Sequence, residues 1–430
     1  MSPTAVPRRR ATALAARGRE LRSREEAEAY VALVCFKHGP PRLFGVELEW
    51  LLVDVDEPAH PVDPVRLRAA LGAHCPLSLD SLSSARPLPG GSVLTVEPGG
   101  QVEIASRPCV SLPSLIDSVS ADAAYLHRLL ARGGMRPLPV AADPVRPPRR
   151  VLTVPRYRAM EAAFDRLGTE GRSMMCSTAA VQPNLDVGRR GDLRLRWTAL
   201  HVLGPVLLAA FANSPVLAGR ATGWKSSRMA CWLALDPPRT AAPDLSVADP
   251  VAAYAARAMA ADVICVRRSE RSWAAPPGVS FAAWLAGALP GPPTTDDLDL
   301  HLSTLFPPVR PHGAHVEVRY LDAQPGEEWS VPVAVLAALL AQPAITTAAV
   351  NACLPVADRW TTAARHGLTD PALARAARAV FALAADALPA LLGPGPALER
   401  VHRVIDQRIA RGLCPADLSG LVPTADKGPS

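Results

Sequence analysis

Five glutamates in three short segments constrain this chain more than any other feature: Glu47 and Glu49 in FGVELEW, Glu97 and Glu103 in EPGGQVEIAS, and Glu317 in HVEVRYLDAQP. Apolar residues separate them, so each segment reads as a strand whose opposite face is buried. Side chains two apart on a strand share a face, which puts Glu47 beside Glu49 and Glu317 beside Arg319. If these strands are neighbours, four or five carboxylates crowd one surface, where two charges ~4 Å apart repel by about 4 kcal/mol at an effective dielectric of about 20. Such a surface requires cations. Mg²⁺ is a hard ion that prefers oxygen, and carboxylate-held Mg²⁺ usually serves the phosphates of a nucleotide. The residues alone therefore point first to an ATP-using enzyme.

The remaining composition sets the frame. A chain of 430 residues, 49% hydrophobic, can bury one large core or two. Its formal charge of +6 suits anionic ligands such as ATP or amino acids. The basic clusters Arg8-Arg9-Arg10 and Arg149-Arg150 carry no interleaved aromatic residues, which argues against a nucleic-acid partner. Eight cysteines (35, 75, 109, 176, 231, 265, 353, 414) show no CxxC and no zinc spacing, as expected of a reduced, cytoplasmic protein. The basic start, interrupted by Arg17, lacks the apolar core of a signal peptide. The most apolar stretch, 199–219, is broken by His201, Pro205, Asn213 and Pro215 and falls short of the ~20 apolar residues of a membrane span.

Along the chain, residues 1–22 read as a loose basic arm, residues 23–412 as one catalytic domain and residues 413–430 as a flexible tail. Ser23-Arg24-Glu25-Glu26 is a capping box for a helix continuing over 27–36. FGVELEWLLVDV alternates as one strand, and 65–71 follows as a short helix. VLTVE and QVEIAS pair across Pro98-Gly99-Gly100, a hairpin with glutamates at both ends. Helices are expected over 115–132, closed by Gly133-Gly134, and over 156–167, closed by Gly168. MMCSTAAVQPNLDV (174–187) has a strand pattern, in which Pro183 removes a ladder donor and predicts an edge or a bulge. Residues 192–212 return to helix. Pro-rich loops at 237–250 and 286–312 are candidate lids, a strand covers 315–321, and the remainder is mainly helical with a start at Asp370-Pro371. The fold class is α+β, with an antiparallel sheet carrying the site.

Any one of these glutamates reads as a solvated strand face; their combination does not. Together with MMCSTAAVQPNLD (Met175, Thr178, Val181, Gln182, Asn184, Leu185, Asp186), the block TGWKSSRMACWLALDPPRT (Gly223, Arg228, Trp232, Asp236, Arg239, Thr240) and HLSTLFPPVRPHGAHVEVRYLDAQP (His301 to Asp322), they resemble the glutamate-cysteine ligases of the plant and bacterial type. The likeness is strongest to the bacterial enzymes that feed γ-glutamylcysteine into ergothioneine synthesis, and runs from about Gly45 to Trp329.

This resemblance implies a glutamine-synthetase-like catalytic domain, with a curved antiparallel sheet forming a funnel flanked by helices. It implies Mg²⁺ and ATP as cofactors, L-glutamate and L-cysteine as substrates, and a γ-glutamyl phosphate between them. Carried over by position, Glu47, Glu49, Glu97, Glu103 and Glu317 are the metal ligands, and Arg319 faces the transferred phosphoryl group. Glu317 and Arg319 are the catalytic pair. Arg228 and Arg239 hold the substrate carboxylate or the phosphates, and Thr178, Gln182 and Asn184 belong to the substrate and ATP site.

Cys176 beside this site reads as an inert buried thiol, His301 as a structural histidine, and Trp224 and Trp232 as core aromatics. Two other functions fit the same residues: a carboxylate-amine ligase with a different acceptor amine, and a catalytically silent protein that binds nucleotide or a partner. Retention of all five glutamates and Arg319 argues against silence.

Overall fold

A computed structural model describes residues 18–267 and 272–421. Eleven strands occur among them: β1 Phe44–Trp50, β2 Leu52–Asp54, β3 Val93–Val96, β4 Val102–Ala105, β5 Met135–Pro137, β6 Ala180–Asp186, β7 Val216–Leu217, β8 Arg220–Ala221, β9 Val309–His312, β10 His315–Val318 and β11 Leu321–Asp322. The main sheet has the order β3-β4-β1-β6-β10-β9, with β11 also on β6, and every pairing in it is antiparallel. β2 pairs with β5, and β7 with β8, in two small ribbons.

One face of the main sheet is apolar. Val46, Leu48, Ile104, Leu185, Val316 and Val318 turn into a core shared with the surrounding helices. Helix Ser330–Leu339, buried along its whole length, is the centre of that core. Its sequence SVPVAVLAAL has no polar face to offer water, so it has nowhere else to go. The opposite face carries the glutamates. The expected α+β class and antiparallel sheet are what the chain forms, and the expected helices over 65–71, 115–132 and 156–167 appear as Pro64–Leu71, Leu112–Arg132 and Pro155–Phe164.

Several boundaries differ from the sequence reading, each for a local reason. FGVELEWLLVDV is two strands, because Trp50, Leu51, Leu52 and Val53 are all buried and alternation fails there; after Trp50 the chain leaves β4 and Leu52 pairs with Pro137. In the run 174–187 the first residues close helix Glu170–Cys176, and only Ala180–Asp186 is strand. A short buried apolar run does not distinguish the two by periodicity. Helix 192–212 breaks into Leu193–Val202 and Gly204–Phe211, where a Cβ on Gly204 would overlap the Trp360 ring.

The segment 286–312 is not an open loop. It holds helix Thr295–Leu302, started by a reciprocal capping box between Thr294 and Asp297, and then β9, whose Pro311 is tolerated because the strand is at the edge. At Ser23, by contrast, the hydroxyl accepts from Glu26 N while the Glu26 carboxylate accepts from Arg22 N, so the box is not reciprocal. Of the expected N-terminal arm, residues 1–17 lie outside the described residues; 18–22 are docked, with Leu21 buried and its N–H donating to Pro293 O at 2.8 Å. At the other end Ala416 N donates to Ala212 O, which ties helix Pro415–Leu418 to the core, and 422–430 lie outside the described residues.

Pro183 sits on β6 in the middle of the sheet, not at an edge. From Glu317 to Leu321 the chain advances four residues while its β6 partner moves back three, from Asn184 to Val181. One extra residue is therefore accommodated at Arg319-Tyr320, opposite the position where proline offers no N–H. This is a bulge, the second of the two outcomes the proline allows.

Candidate active site: a carboxylate cleft on the antiparallel sheet

Strand register assembles the site row by row. Glu49 lies opposite Glu103, which in turn lies opposite Thr95; Glu47 lies opposite Gln182; Asn184 lies opposite Glu317, which lies opposite Arg310. Directly paired residues share a face, so these side chains emerge on the same side of the sheet. Glu97 is placed by the tight turn of the β3–β4 hairpin, where its N–H donates to Gln101 O at 2.8 Å and its carbonyl accepts from Gly100 N at 2.9 Å. Both glycines are required there. Gly100 has φ +88°, and a Cβ on Gly99 would overlap the Cys176 backbone.

The cleft above this face encloses about 280 Å³. Glu47, Glu49, Glu97 and Glu103 line it together with Arg156, Arg310 and Arg319, and Trp232, Phe306 and Met175 form apolar walls. Gln182 donates to Glu49 Oε1 at 2.7 Å, and Ala180 N donates to Glu49 Oε2 at 2.8 Å. Thr95 donates to Glu103 Oε1 at 2.7 Å. The carbonyl oxygens Gln182 Oε1 and Asn184 Oδ1 are buried without a hydrogen-bond partner among the described residues. Unpartnered buried acceptors call for a donor or a cation.

Glu317 is 2% exposed and lies beneath the cleft wall. Arg310 donates to its Oε2 at 2.8 Å through Nε, and Arg319 pairs with its Oε1. Burial pushes the Glu317 carboxyl up, but Arg310 and then Arg319 outweigh it and hold the group below the ordinary range. The other four carboxyls lack such compensation. Burial first, then Glu317 and Glu103, push Glu47 to about 8. Burial and the neighbouring Glu97 push Glu103 to about 7. Glu49 is raised well above the ordinary range by burial, Glu103 and Glu97, and Glu97 is raised by burial. Five carboxylates against three guanidiniums leave the site short of positive charge.

Not every residue expected here reaches the cleft. Arg228, 1% exposed, donates through Nη2 to Arg319 O at 2.7 Å and faces Asp322 at 3.8 Å. Arg239 donates to Thr304 O and Oγ1 at 3.1 Å, and pairs with Asp236 at 3.0 Å. Both are buried on short helices, Ser227–Ala234 and Pro237–Thr240, and neither lines the cleft. Thr178 does line it, yet its hydroxyl donates to Met174 O at 2.7 Å and closes the end of the preceding helix. Asn184 lies beyond the cleft, lining a neighbouring hollow on the same face with Gly45 and Ser106.

Cys176 is buried, its thiol pushed by burial to about 12, and His301 Nε2 bonds Ala258 O at 2.8 Å, so both are structural. Trp224 packs partly buried against the core beneath Arg365. Trp232 is more than core: its ring lies under the guanidiniums of Arg228 at 4.9 Å and Arg319 at 5.7 Å.

Three cleft residues have no site role in the sequence reading. Arg310 was hidden in a Pro-rich segment, although VRPH alternates. Arg156 sits at the start of helix Pro155–Phe164, one turn from no motif at all. Gln101 shares the glutamate hairpin; its amide donates to Thr178 O at 2.9 Å and its Oε1 accepts from Gly99 N at 2.9 Å.

The chain is similar to known proteins along most of its length. The profile of glutamate-cysteine ligase family 2 (GCS2) matches residues 43–428. The chain is 39% identical to glutamate–cysteine ligase EgtA of Mycobacterium tuberculosis over 407 residues, 93% of this chain and 90% of that protein. It is 38% identical to EgtA of Mycolicibacterium smegmatis over 419 residues, 92% of this chain and 94% of that protein. A solved glutamate–cysteine ligase of Francisella tularensis, in complex with AMP, superposes at TM-score 0.49 and 14% identity over 90% of this chain and 86% of that one. On the profile match and these identities, the chain belongs to glutamate-cysteine ligase family 2.

Proposed function

We propose that the protein joins the amine of L-cysteine to the γ-carboxylate of L-glutamate, using ATP and releasing ADP and phosphate. The observation that carries this reading is the register that turns Glu47, Glu49 and Glu103 toward one cleft with Glu97, Arg310 and Arg319. The likeness to the two EgtA enzymes supports glutamate and cysteine as substrates, and ergothioneine synthesis as the destination of the product. Eight free cysteines support a cytoplasmic setting, and among the described residues no single helix is long and apolar enough to cross a membrane.

A glutamate γ-carboxylate oxygen attacks the γ-phosphorus of ATP and ADP leaves. The amine of cysteine then attacks the acyl carbon of the γ-glutamyl phosphate, phosphate leaves with the bonding pair, and the nitrogen gives up one proton to the departing phosphate. No protein nucleophile is needed, so the protein contributes positioning and charge. Arg310 and Arg319 present forked donors, the geometry that phosphoryl oxygens require. Phosphate oxygens compete with Glu317 for these guanidiniums, and the exchange frees the carboxylate.

The donor set fits Mg²⁺: buried carboxylate oxygens in excess, with two unpartnered amide oxygens beside them. Among the described residues no three acidic, histidine or cysteine side chains form a ready-made cage. This suits an ion that arrives with the nucleotide, because Mg²⁺ is commonly held by one or two carboxylates plus phosphates. Glu47, Glu49, Glu97, Glu103 and Glu317 are the carboxylates from which those protein ligands would be drawn, and the bound ion would supply the charge that neutralises the phosphates.

ADP release with glutamate alone, cysteine alone and both together tests the reading. Full turnover with both is expected. Turnover with glutamate and a different amine, but not with cysteine, would make the protein another carboxylate-amine ligase, and no ADP under any condition would make it silent.

A further inference from the structure

A second cavity, of about 510 Å³, lies between the β2–β5 ribbon and the C-terminal helices and shares no lining residue with the carboxylate cleft. Its volume falls in the range of small-molecule sites, ~300–1,000 Å³. The floor is apolar: Val53, Leu138, Val140 and Val404 are buried there. At the rim Val145, Leu418 and Leu421 stay exposed. Apolar residues left open around a concavity mark a surface made for contact.

The charge of this cavity is one-sided. Arg136, Arg400, Arg403 and Arg408 line it against a single acid, Glu328. Arg408 is paired with Glu328 at 2.8 Å, and Arg400 donates to Ser330 Oγ at 2.9 Å. The side chains of Arg136, cross-strand from Val53, and of Arg403 hold no hydrogen bond or ion pair among the described residues. Gln407 and Arg408 reach the wall from a π-helical turn, Ile405–Ile409, a local widening that is frequent at functional sites. None of these features serves the ligase chemistry.

We infer that this cavity is a second ligand site, for a small organic carboxylate with an apolar body. The body fills the floor of Val53, Leu138 and Val140, and the carboxylate meets Arg136 and Arg403, whose guanidiniums suit it through paired N–H donors.

The probe is 2-naphthoate, titrated calorimetrically into the full-length protein beside its neutral amide. Saturable one-to-one binding of the carboxylate is expected, about tenfold tighter than the amide, and weakened about tenfold or more in an Arg136→Ala/Arg403→Ala protein. Both side chains are exposed, so the double variant should keep its melting temperature. No saturable binding, equal affinity for the amide, or affinity unchanged in the double variant would each overturn the site. The last result would place the probe elsewhere, the carboxylate cleft included.

Discussion

Arg228 donates to the main-chain carbonyl of Arg319 at 2.7 Å, from a position where it is 1% exposed and faces Asp322. Asp322 in turn accepts from Ser214, Ser226 and Asn213 N, so a buried polar network clamps the bulge that carries Arg319. Arg228 is a positioning residue in this account. Arg228→Lys keeps a charge near Asp322 but loses the forked reach to the carbonyl, and should lower kcat while leaving KM for ATP nearly unchanged. Arg228→Ala leaves the buried Asp322 with its hydrogen bonds but without its cation, a loss that typically costs about 3–5 kcal/mol of stability. Thermal melts and steady-state kinetics on both variants separate these effects; a KM increase with unchanged kcat would instead make Arg228 a ligand contact.

Glu317→Gln leaves Arg310 and Arg319 without their buried carboxylate, so it should lower the melting temperature and lose about 10²–10³ in kcat, because a neutral amide does not balance Mg²⁺ beside the transferring phosphate. Near-normal turnover by the folded variant would remove Glu317 from the metal site.

Arg319→Lys should be almost as inactive as Arg319→Ala, since an ammonium is a point charge without the fork. If lysine restores most of the rate, Arg319 supplies charge alone.

Stability without Mg²⁺ should fall as pH rises. An ordinary glutamate titrates near 4.5, whereas Glu103 and Glu47 keep their protons to about 7 and about 8 in the folded chain. Between those limits the folded state binds more protons than the unfolded one, so each pH step upward favours unfolding. Melts in EDTA from pH 5 to 8.5 should show a declining Tm, flattened by Glu47→Gln/Glu103→Gln. A profile unaffected by that pair would contradict the raised carboxyls.

The glutamate face was legible in the sequence because strand periodicity alone places Glu47, Glu49, Glu103 and Glu317. The register that unites them was not, since it depends on β6 lying between β1 and β10, a long-range pairing. Arg310 lies in the block that carries the resemblance, but prolines mask its edge strand and with it the residue's place at the site. For Arg228 and Arg239 the sequence shows the charge and not the burial; in the fold each gives one donor to a main-chain carbonyl, Arg319 O and Thr304 O. The C-terminal helices beyond Asp370 were foreseen, but their part in walling a second cavity required the three-dimensional packing of residues far apart in the chain.

The central claim, activation of glutamate as an acyl phosphate, is tested most directly by isotope transfer. Glutamate carrying ¹⁸O in its γ-carboxylate is incubated with ATP, Mg²⁺ and cysteine, and the released phosphate is analysed by mass spectrometry. Attack by that carboxylate on the γ-phosphorus carries one labelled oxygen into phosphate as ATP becomes ADP. Labelled phosphate in step with γ-glutamylcysteine is the predicted result. Unlabelled phosphate, or AMP with pyrophosphate, would contradict it.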